Sequence, residues 1–542
     1  MAKKIRKGSS TEQSAEPDDT ATQVQIPIVG VGMSAGGLEA CKKFLTAMPV
    51  DSGVAIVLVP HLDPTHESLM ATLLARQTKI PVREVEDGMK VRPNNVYVIP
   101  PNKCLSIRNG VLHLSDPPAV HRFETAIDIF LISLAKDQRE HAIGIVLSGT
   151  GTSGSQGLKE IKQAGGMVIA QLPESAQFNQ MPLSAIATGL MDSVLPPEEM
   201  PAEIIRYVQA PWLRRDLEDD GVTPIELNDI LTLLQTQTTY QFHCYRRNMV
   251  LRRVQRRMGI RQIKEFADYL KYLRQNPEEM QLLCKDLLIS VTAFFRDPAA
   301  FLDLETKVIP TLIQSQQLKI TQQQSGIASD TLPRDTENTL RTWVPACATG
   351  EEAYSIAMLL TERYTAEKLP CSFQIFATDL NENSLDFARQ GIYPESALAN
   401  ISEDRLKQFF VRTGEHHFQV NKMLRGSVVF ACHNLLADAP FSKLDLVVCR
   451  NLLIYLEPEV QQKVIALFHF SLRQDGYLML GGSETIGRAV DLFEPVSKKS
   501  RIYHRTGPGR NDLLELPIAV SHKPKDTTSN PPGFASATGG FR

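Results

Sequence analysis

A chain of 542 residues exceeds what one ordinary core organises, because domains run to roughly 150 residues, so several are expected. Hydrophobic content of 43% and charged content of 22% exclude a wholly disordered or membrane-embedded chain, and a net charge of -3 selects no class of partner. Apolar runs fall short of the roughly 18 residues of a membrane span, and the N-terminus has charge without an apolar signal core, so no membrane insertion is expected and a cytoplasmic location is.

Taken in chain order, residues 1–23 are polar and read as a disordered tail. Between 24 and 210, apolar strands at 26–32, 53–60, 95–100, 142–149 and 166–171 alternate with helical stretches at 38–48, 66–77 and 122–138. Fully apolar strands interleaved with helices predict a parallel sheet covered on both faces. Proline, glycine and dense charge at 211–222 mark a boundary. Residues 222–290 carry helical periodicity without strand alternation, at 227–237, 245–259, 263–275 and 277–289, and predict a small all-helical subdomain. Strand and helix alternation resumes over 291–505, with strands at 341–347, 373–379, 427–433, 444–450 and 476–482. The expected class is α/β, two doubly wound parallel-sheet domains separated by the helical subdomain. A stretch rich in Gln, Ser and Thr at 315–339 reads as a flexible insertion, and 506–542 as a second disordered tail.

Eight cysteines are scattered without C-x-x-C spacing and read as buried or idle thiols. Cys432 and His433 are adjacent, but neighbours on a strand point to opposite faces and no second pair completes a ligand set, so no metal is expected.

The segment RTWVPACATGEEAYSIAM at 341–358 reads as strand, glycine turn and helix, the arrangement that lets a ligand lie against backbone at the carboxyl end of a parallel strand. The next strand ends in ATDLN, bringing Asp379 to the same edge, where it serves either as an acceptor for ribose hydroxyls or as a helix N-cap. TAFFRDP at 292–298, ACATGEEAYSIA at 346–357, FATD at 376–379, HNLL at 433–436 and CRNLLIYL at 449–456 follow one another in an order that resembles the chemotaxis receptor methyltransferases of the CheR type. The resemblance implies S-adenosylmethionine as cofactor, glutamate side chains of chemoreceptor-like signalling proteins as methyl acceptors, and phosphorelay histidine kinase proteins as further partners. Carried over by position, it implies that Ser290, Thr292, Arg296, Glu352, Asp379, Asn434, Leu435, Asn451 and Leu452 surround the cofactor. Arg296 and Tyr455 then stand near the reacting groups, and Ser290 occupies a position usually held by asparagine. Because a glutamate is already ionised at neutral pH, alignment and desolvation should dominate over acid–base catalysis.

Arg246, Arg253 and Arg257, flanked by Arg252 and Arg256, repeat at helical spacing. They form either a solvated surface or, as the resemblance implies, a face that docks on receptor helices. A nucleic-acid partner is not expected, since no stacking aromatics are interleaved and the region is not strongly basic.

In the first block, IVGVGMSAGGLEA sets Ser34 between a buried strand and two glycines entering a helix, the turn a nucleophile with an oxyanion site needs. The following strand delivers His61 to the same edge. With LSGTGTSGSQGLKEIKQAGG at 147–166 and PESAQFNQMPLSAIATGL at 173–190, the block resembles the CheB methylesterases. That family carries an aspartate where this chain has Ser153. A serine cannot stabilise an imidazolium, and loss of the equivalent charge in serine proteases lowers turnover by roughly 10⁴-fold. Either the esterase is impaired, or Glu174 or Asp63 substitutes for the acid, or the domain is a substrate-binding scaffold. A reading of both halves as sensory binding modules stands beside these.

Overall fold

The computed structural model describes residues 26–60, 70–117, 125–210, 213, 224–238, 240–288, 291–324 and 338–507. The expected tails, apart from residues 506 and 507, together with His61, Asp63 and Ser290, lie outside the described residues. The chain divides into two compact units, the first reaching Val208 and the second running from Gln209 onward, with the short segment Gly151–Lys159 grouped with the second.

The first unit is built on a seven-stranded parallel sheet ordered Ser193–Leu195, Met167–Gln171, Ala142–Val146, Ile28–Met33, Ala55–Pro60, Val96–Val98 and Val82–Glu84. Every residue of the strands Ile28–Met33, Ala55–Pro60, Ala142–Val146 and Met167–Gln171 is buried, as a sheet covered on both faces demands. The glycines inside the strand Ile28–Met33 answer to helix packing. A Cβ at Gly30 would sit 2.7 Å from Leu131, and one at Gly32 2.5 Å from Ile127, both on the helix Ala126–Gln138. A small antiparallel sheet of Met89–Lys90, Val111–Ser115 and Cys104–Arg108 was not anticipated.

In the second unit four helices, Pro224–Gln237, Arg247–Ile260, Phe266–Gln275 and Pro277–Leu287, match the expected helical subdomain. Their core of Leu227, Ile230, Val250, Val254, Tyr269 and Leu283 is continuous with Trp343, Val447 and Phe468 of the sheet that follows. That sheet runs Val428–Cys432, Phe373–Asp379, Leu340–Pro345, Leu444–Cys449, Leu472–Leu480, Ile502–Arg505 and Phe493–Ser497. Numbered in chain order the strands lie 3-2-1-4-5-7-6, with the first five parallel and the last hairpin antiparallel. A three-stranded antiparallel sheet of Ile392–Pro394, His417–Val420 and Phe410–Arg412 is attached.

The expectation of a flexible insertion beginning at 315 is corrected in its first part, because residues 315–324 continue the helix Ile309–Gln324. Gln316 holds it there: this buried side chain donates to the carbonyls of Asn338 and Ser372 and accepts from the Tyr364 hydroxyl. The remainder, 325–337, lies outside the described residues.

Candidate functional site

The carboxyl ends of four adjacent strands in the second sheet carry the site. Strand Leu340–Pro345 runs into the turn 346–350 and then the helix Glu351–Ala366. Ala346 (φ 55°), Ala348 (φ 48°) and Gly350 (φ 91°) are all left-handed, a conformation that costs about 1–2 kcal/mol at a residue with a side chain. At Gly350 a Cβ would also meet Ala388 Cβ at 2.8 Å and the Phe430 ring at 3.1 Å, so only glycine fits. The turn is fastened to the next strand by Asp379, whose Oδ2 accepts from the Ala348 N–H at 2.9 Å and whose Oδ1 accepts from the Asn381 N–H at 2.9 Å. Burial pushes this carboxyl up, opposed by the N–H groups of Asn381, Ala348 and Leu380. Asp379 is not the N-cap of the next helix. Asn381 is, its side chain accepting from the Ser384 N–H at 3.3 Å.

Glu352, in the first turn of the helix, is buried and faces a cation that the sequence reading did not single out. Arg450, at the end of strand Leu444–Cys449, donates through Nη1 to Glu352 at 2.8 Å and to the Arg296 carbonyl at 2.9 Å, and through Nη2 to Asp297 at 2.5 Å. One guanidinium therefore joins three segments: the helix start, the strand end and the TAFFRDP turn. Burial raises the Glu352 carboxyl, and the Arg450 charge opposes that rise. The TAFFRDP turn is itself strained, with Phe295 (φ 48°) and Asp297 (φ 61°) left-handed on either side of Arg296. Its Phe295 N–H donates to Ser355 Oγ at 3.0 Å, and the half-buried Arg296 donates through Nη1 to the Val291 carbonyl at 3.1 Å. Thr292 is buried at the start of the same turn.

Past Arg450 the chain turns through Asn451, which is left-handed at φ 60°. Its Oδ1 is buried with no hydrogen-bond partner among the described residues, and the same holds for Nε of Arg450. Leu452 is half-buried against the core shared with the helical subdomain. Tyr455, also half-buried, accepts the Arg246 N–H on its carbonyl at 2.8 Å, beside a bridge between Tyr245 and Leu456. After the edge strand Val428–Cys432, buried Asn434 accepts the Leu436 N–H on Oδ1 at 3.0 Å, and Leu435 is buried next to it. His433 turns Nε2 to the Ala439 carbonyl at 3.0 Å, and among the described residues no group of three or more His, Cys, Asp or Glu could hold a metal ion.

The arginine helix reads differently in the structure. Arg253, Arg256 and Arg257 are buried rather than displayed, so they do not form an exposed docking face. Arg256 pairs with Asp286 at 2.5 Å, and Arg257 forms a fork on Glu279 at 2.8 and 2.6 Å. Glu279 also accepts from Arg261 at 2.6 Å and from the Tyr269 hydroxyl at 3.1 Å. Such a network holds helices together because each charge has lost its water and must find its partner inside. Arg246 is exposed and Arg252 half-buried.

In the first unit Ser34 is half-buried at the end of its strand, followed by left-handed Gly36 (φ 72°) and the helix Gly37–Ala47. Its N–H donates to the Ser148 carbonyl at 3.0 Å. Ser148 organises the turn: its hydroxyl donates to the Ala35 carbonyl at 2.9 Å and accepts from the Phe178 N–H at 3.0 Å, and its N–H donates to Gln171 Oε1 at 2.8 Å. A Cβ at Gly149 would lie 2.9 Å from Ser34 Cβ and 2.1 Å from Met181 Sδ, so the glycine lets these segments close on the serine. Ser153, in the segment grouped with the second unit, is buried in the turn before the helix Ser155–Ala164, and Glu174 lies in a short 3-10 turn at Pro173–Ser175.

A parallel sheet ordered 3-2-1-4-5, closed by an antiparallel hairpin and with acids and asparagines at its carboxyl edge, is the arrangement of Rossmann-like methyltransferases, and in sequence it follows an α/β unit with a serine turn. Three family models match in the same order: CheB methylesterase over residues 29–204, the CheR methyltransferase all-alpha domain over 225–288 and the CheR methyltransferase SAM binding domain over 290–502. The chain belongs to the CheR methyltransferase family and carries a CheB methylesterase domain ahead of the CheR domains.

Among relatives, it is 37% identical over 469 residues to an uncharacterized 104.1 kDa protein of Rhodobacter capsulatus, an alignment covering 82% of this chain and 47% of that protein. It is 30% identical over 297 residues to the putative methyltransferase Cher3 of Pseudomonas putida, covering 52% of this chain and 98% of that protein. A protein-glutamate methylesterase/protein-glutamine glutaminase of Geobacter metallireducens is 35% identical over 187 residues, covering 34% of this chain and 51% of the relative. The chain thus spans about half the length of the first and third of these relatives. The solved catalytic domain of Thermotoga maritima CheB methylesterase is 31% identical and covers 33% of this chain and 97% of that one, with a TM-score of 0.31.

Proposed function

We propose that the second unit transfers methyl groups from S-adenosylmethionine to glutamate carboxylates of chemoreceptor-like signalling proteins, with phosphorelay histidine kinase proteins as signalling partners. The reading rests on the convergence of Glu352, Asp379, Asn434 and Asn451 at the carboxyl ends of four adjacent strands. The residues present suit the cofactor: consecutive Arg450 and Asn451 each leave a buried polar atom unpartnered among the described residues, one a donor and one an acceptor. Groups that have lost water without gaining a partner cost about 1–3 kcal/mol each, so they favour a polar ligand that satisfies both.

In this reading Asp379 meets ribose hydroxyls, Asn434 and Leu435 the adenine, and Asn451 and Leu452 a further wall, while Glu352, Thr292 and Arg296 face the methionyl end, and Ser290, outside the described residues, is a further cofactor contact. The bound cofactor supplies a methyl group already activated on a sulfonium centre. The protein's work is therefore to orient and to keep water out, with Arg296 and Tyr455 at the mouth where the acceptor carboxylate enters. Asp379 has a second duty in this scheme, since its carboxylate also ties down the glycine turn, so Asp379→Asn is a cleaner probe than alanine.

The first unit keeps the serine turn, and we propose that it hydrolyses glutamate methyl esters slowly through Ser34 and His61, because Ser153 supplies no charge to a histidine. Calorimetric titration of the full chain with S-adenosylhomocysteine tests the transfer site. Binding by the wild type that weakens at least tenfold in Asp379→Asn supports it. A wild-type chain that takes up no ligand removes it.

A further inference from the structure

Glu484 follows the strand Leu472–Leu480 in the segment Gly481–Thr485. It is 3% exposed, and among the described residues no cationic side chain forms an ion pair with it. Its carboxylate accepts instead from backbone: the N–H groups of Gly481 at 2.6 Å, Leu453 at 2.7 Å, Asn451 at 3.0 Å and, more distantly, Ile454 at 3.4 Å. Three of these four donors belong to the loop that follows the neighbouring strand Leu444–Cys449. A buried carboxylate without a counter-ion survives only where several dipoles point at it, and here the dipoles are those of the loop itself.

The surroundings admit nothing bulkier. A Cβ at Gly481 would lie 2.7 Å from Glu484 Oε2 and 2.9 Å from the Asn451 nitrogen. The loop being held is strained, since Asn451 is left-handed, and strain of that kind persists only when the surroundings over-determine it. Arg450, the residue before it, is held by Glu352 and Asp297.

Building on the transfer-site reading, we propose that Glu484 is a positioning residue: its carboxylate fixes the Asn451–Tyr455 loop in the conformation that turns Asn451 toward the cofactor. It acts through backbone and touches neither cofactor nor acceptor. Hydrogen bonds to a charged group are the strong ones, so loss of the charge releases the loop while the sheet beneath it stays intact.

The test compares wild type, Glu484→Gln and Glu484→Asp in the full chain. Hydrogen exchange should quicken at Asn451, Leu453 and Ile454 in Glu484→Gln while strands Leu340–Pro345 and Leu444–Cys449 keep their protection. Affinity for S-adenosylhomocysteine should fall by about tenfold or more, with part of it recovered in Glu484→Asp, which restores the charge. Exchange that quickens across both strands as well would make Glu484 a general core residue and overturn the proposal. So would affinities in both variants within twofold of a wild type that binds. A wild type that does not bind removes the parent reading instead, and the exchange data then still decide whether Glu484 holds the loop.

Discussion

Replacing Arg450 with methionine removes the guanidinium that joins the helix start, the strand end and the TAFFRDP turn while keeping an apolar stem of similar length. The Arg450 side chain is 1% exposed, Glu352 9% and Asp297 60%, so the two ion pairs differ in weight. The exposed Asp297 partner contributes at most about 1 kcal/mol. The buried Glu352 partner decides the outcome, because breaking such a pair strands a charge and costs about 3–5 kcal/mol. Glu352 can relieve that cost by taking up a proton, and burial already raises its carboxyl. An acid raised in the folded state stabilises below its ordinary range and loses that contribution as pH rises through the folded value. The deficit of Arg450→Met should therefore be smaller at pH 5 than at pH 8. Urea unfolding of the full chain, followed by the fluorescence of buried Trp343 in a Trp212→Phe background, measures it. A deficit below about 1 kcal/mol that does not change with pH would refute the reasoning, since it would mean that Glu352 never depended on Arg450.

Other substitutions follow from the same physics. Glu279→Ala strands Arg257 and the Tyr269 hydroxyl inside the helical subdomain and should destabilise it by about 3–5 kcal/mol in urea unfolding. Arg257→Gln that left stability unchanged but weakened receptor binding would restore the docking face. Gly350→Ala combines a left-handed backbone with a 2.8 Å approach to Ala388, so about 2–4 kcal/mol of stability should be lost, read from the same unfolding curves. Ser153→Asp should raise methanol release from methylated receptor by at least about a hundredfold, and Ser34→Ala should abolish what the wild type releases. No gain in Ser153→Asp would mean that another carboxylate already serves the histidine.

The apolar strands and the periodic helices were legible because burial on both faces writes continuous runs such as AIVLVP and LDLVVC into the chain. The minor sheets were not, since their strands are two to five residues long and carry no run of their own. Spacing alone placed Arg253, Arg256 and Arg257 on a helix but could not tell water from a buried acid. The partner of Arg257, Glu279, sits 22 residues further on and that of Arg256, Asp286, 30, both brought back by helix packing. Asp379 was legible as the end of its strand, while its hold on Ala348 depends on the left-handed turn, which composition does not reveal. Arg450 stood inside a motif already quoted and Glu484 inside a loop. Each acts by reaching another segment, and only the folded chain shows that reach.

Transfer of a methyl group to a carboxylate is the proposed work of the site at these four strand ends. The direct measurement incubates the full chain with methyl-labelled S-adenosylmethionine and a cytoplasmic chemoreceptor fragment, then treats the labelled fragment with base. Label is expected on the fragment, and base should release it as methanol, as a glutamate methyl ester requires. Label that resists base, or a fragment that stays unlabelled while the chain binds the cofactor, would contradict it.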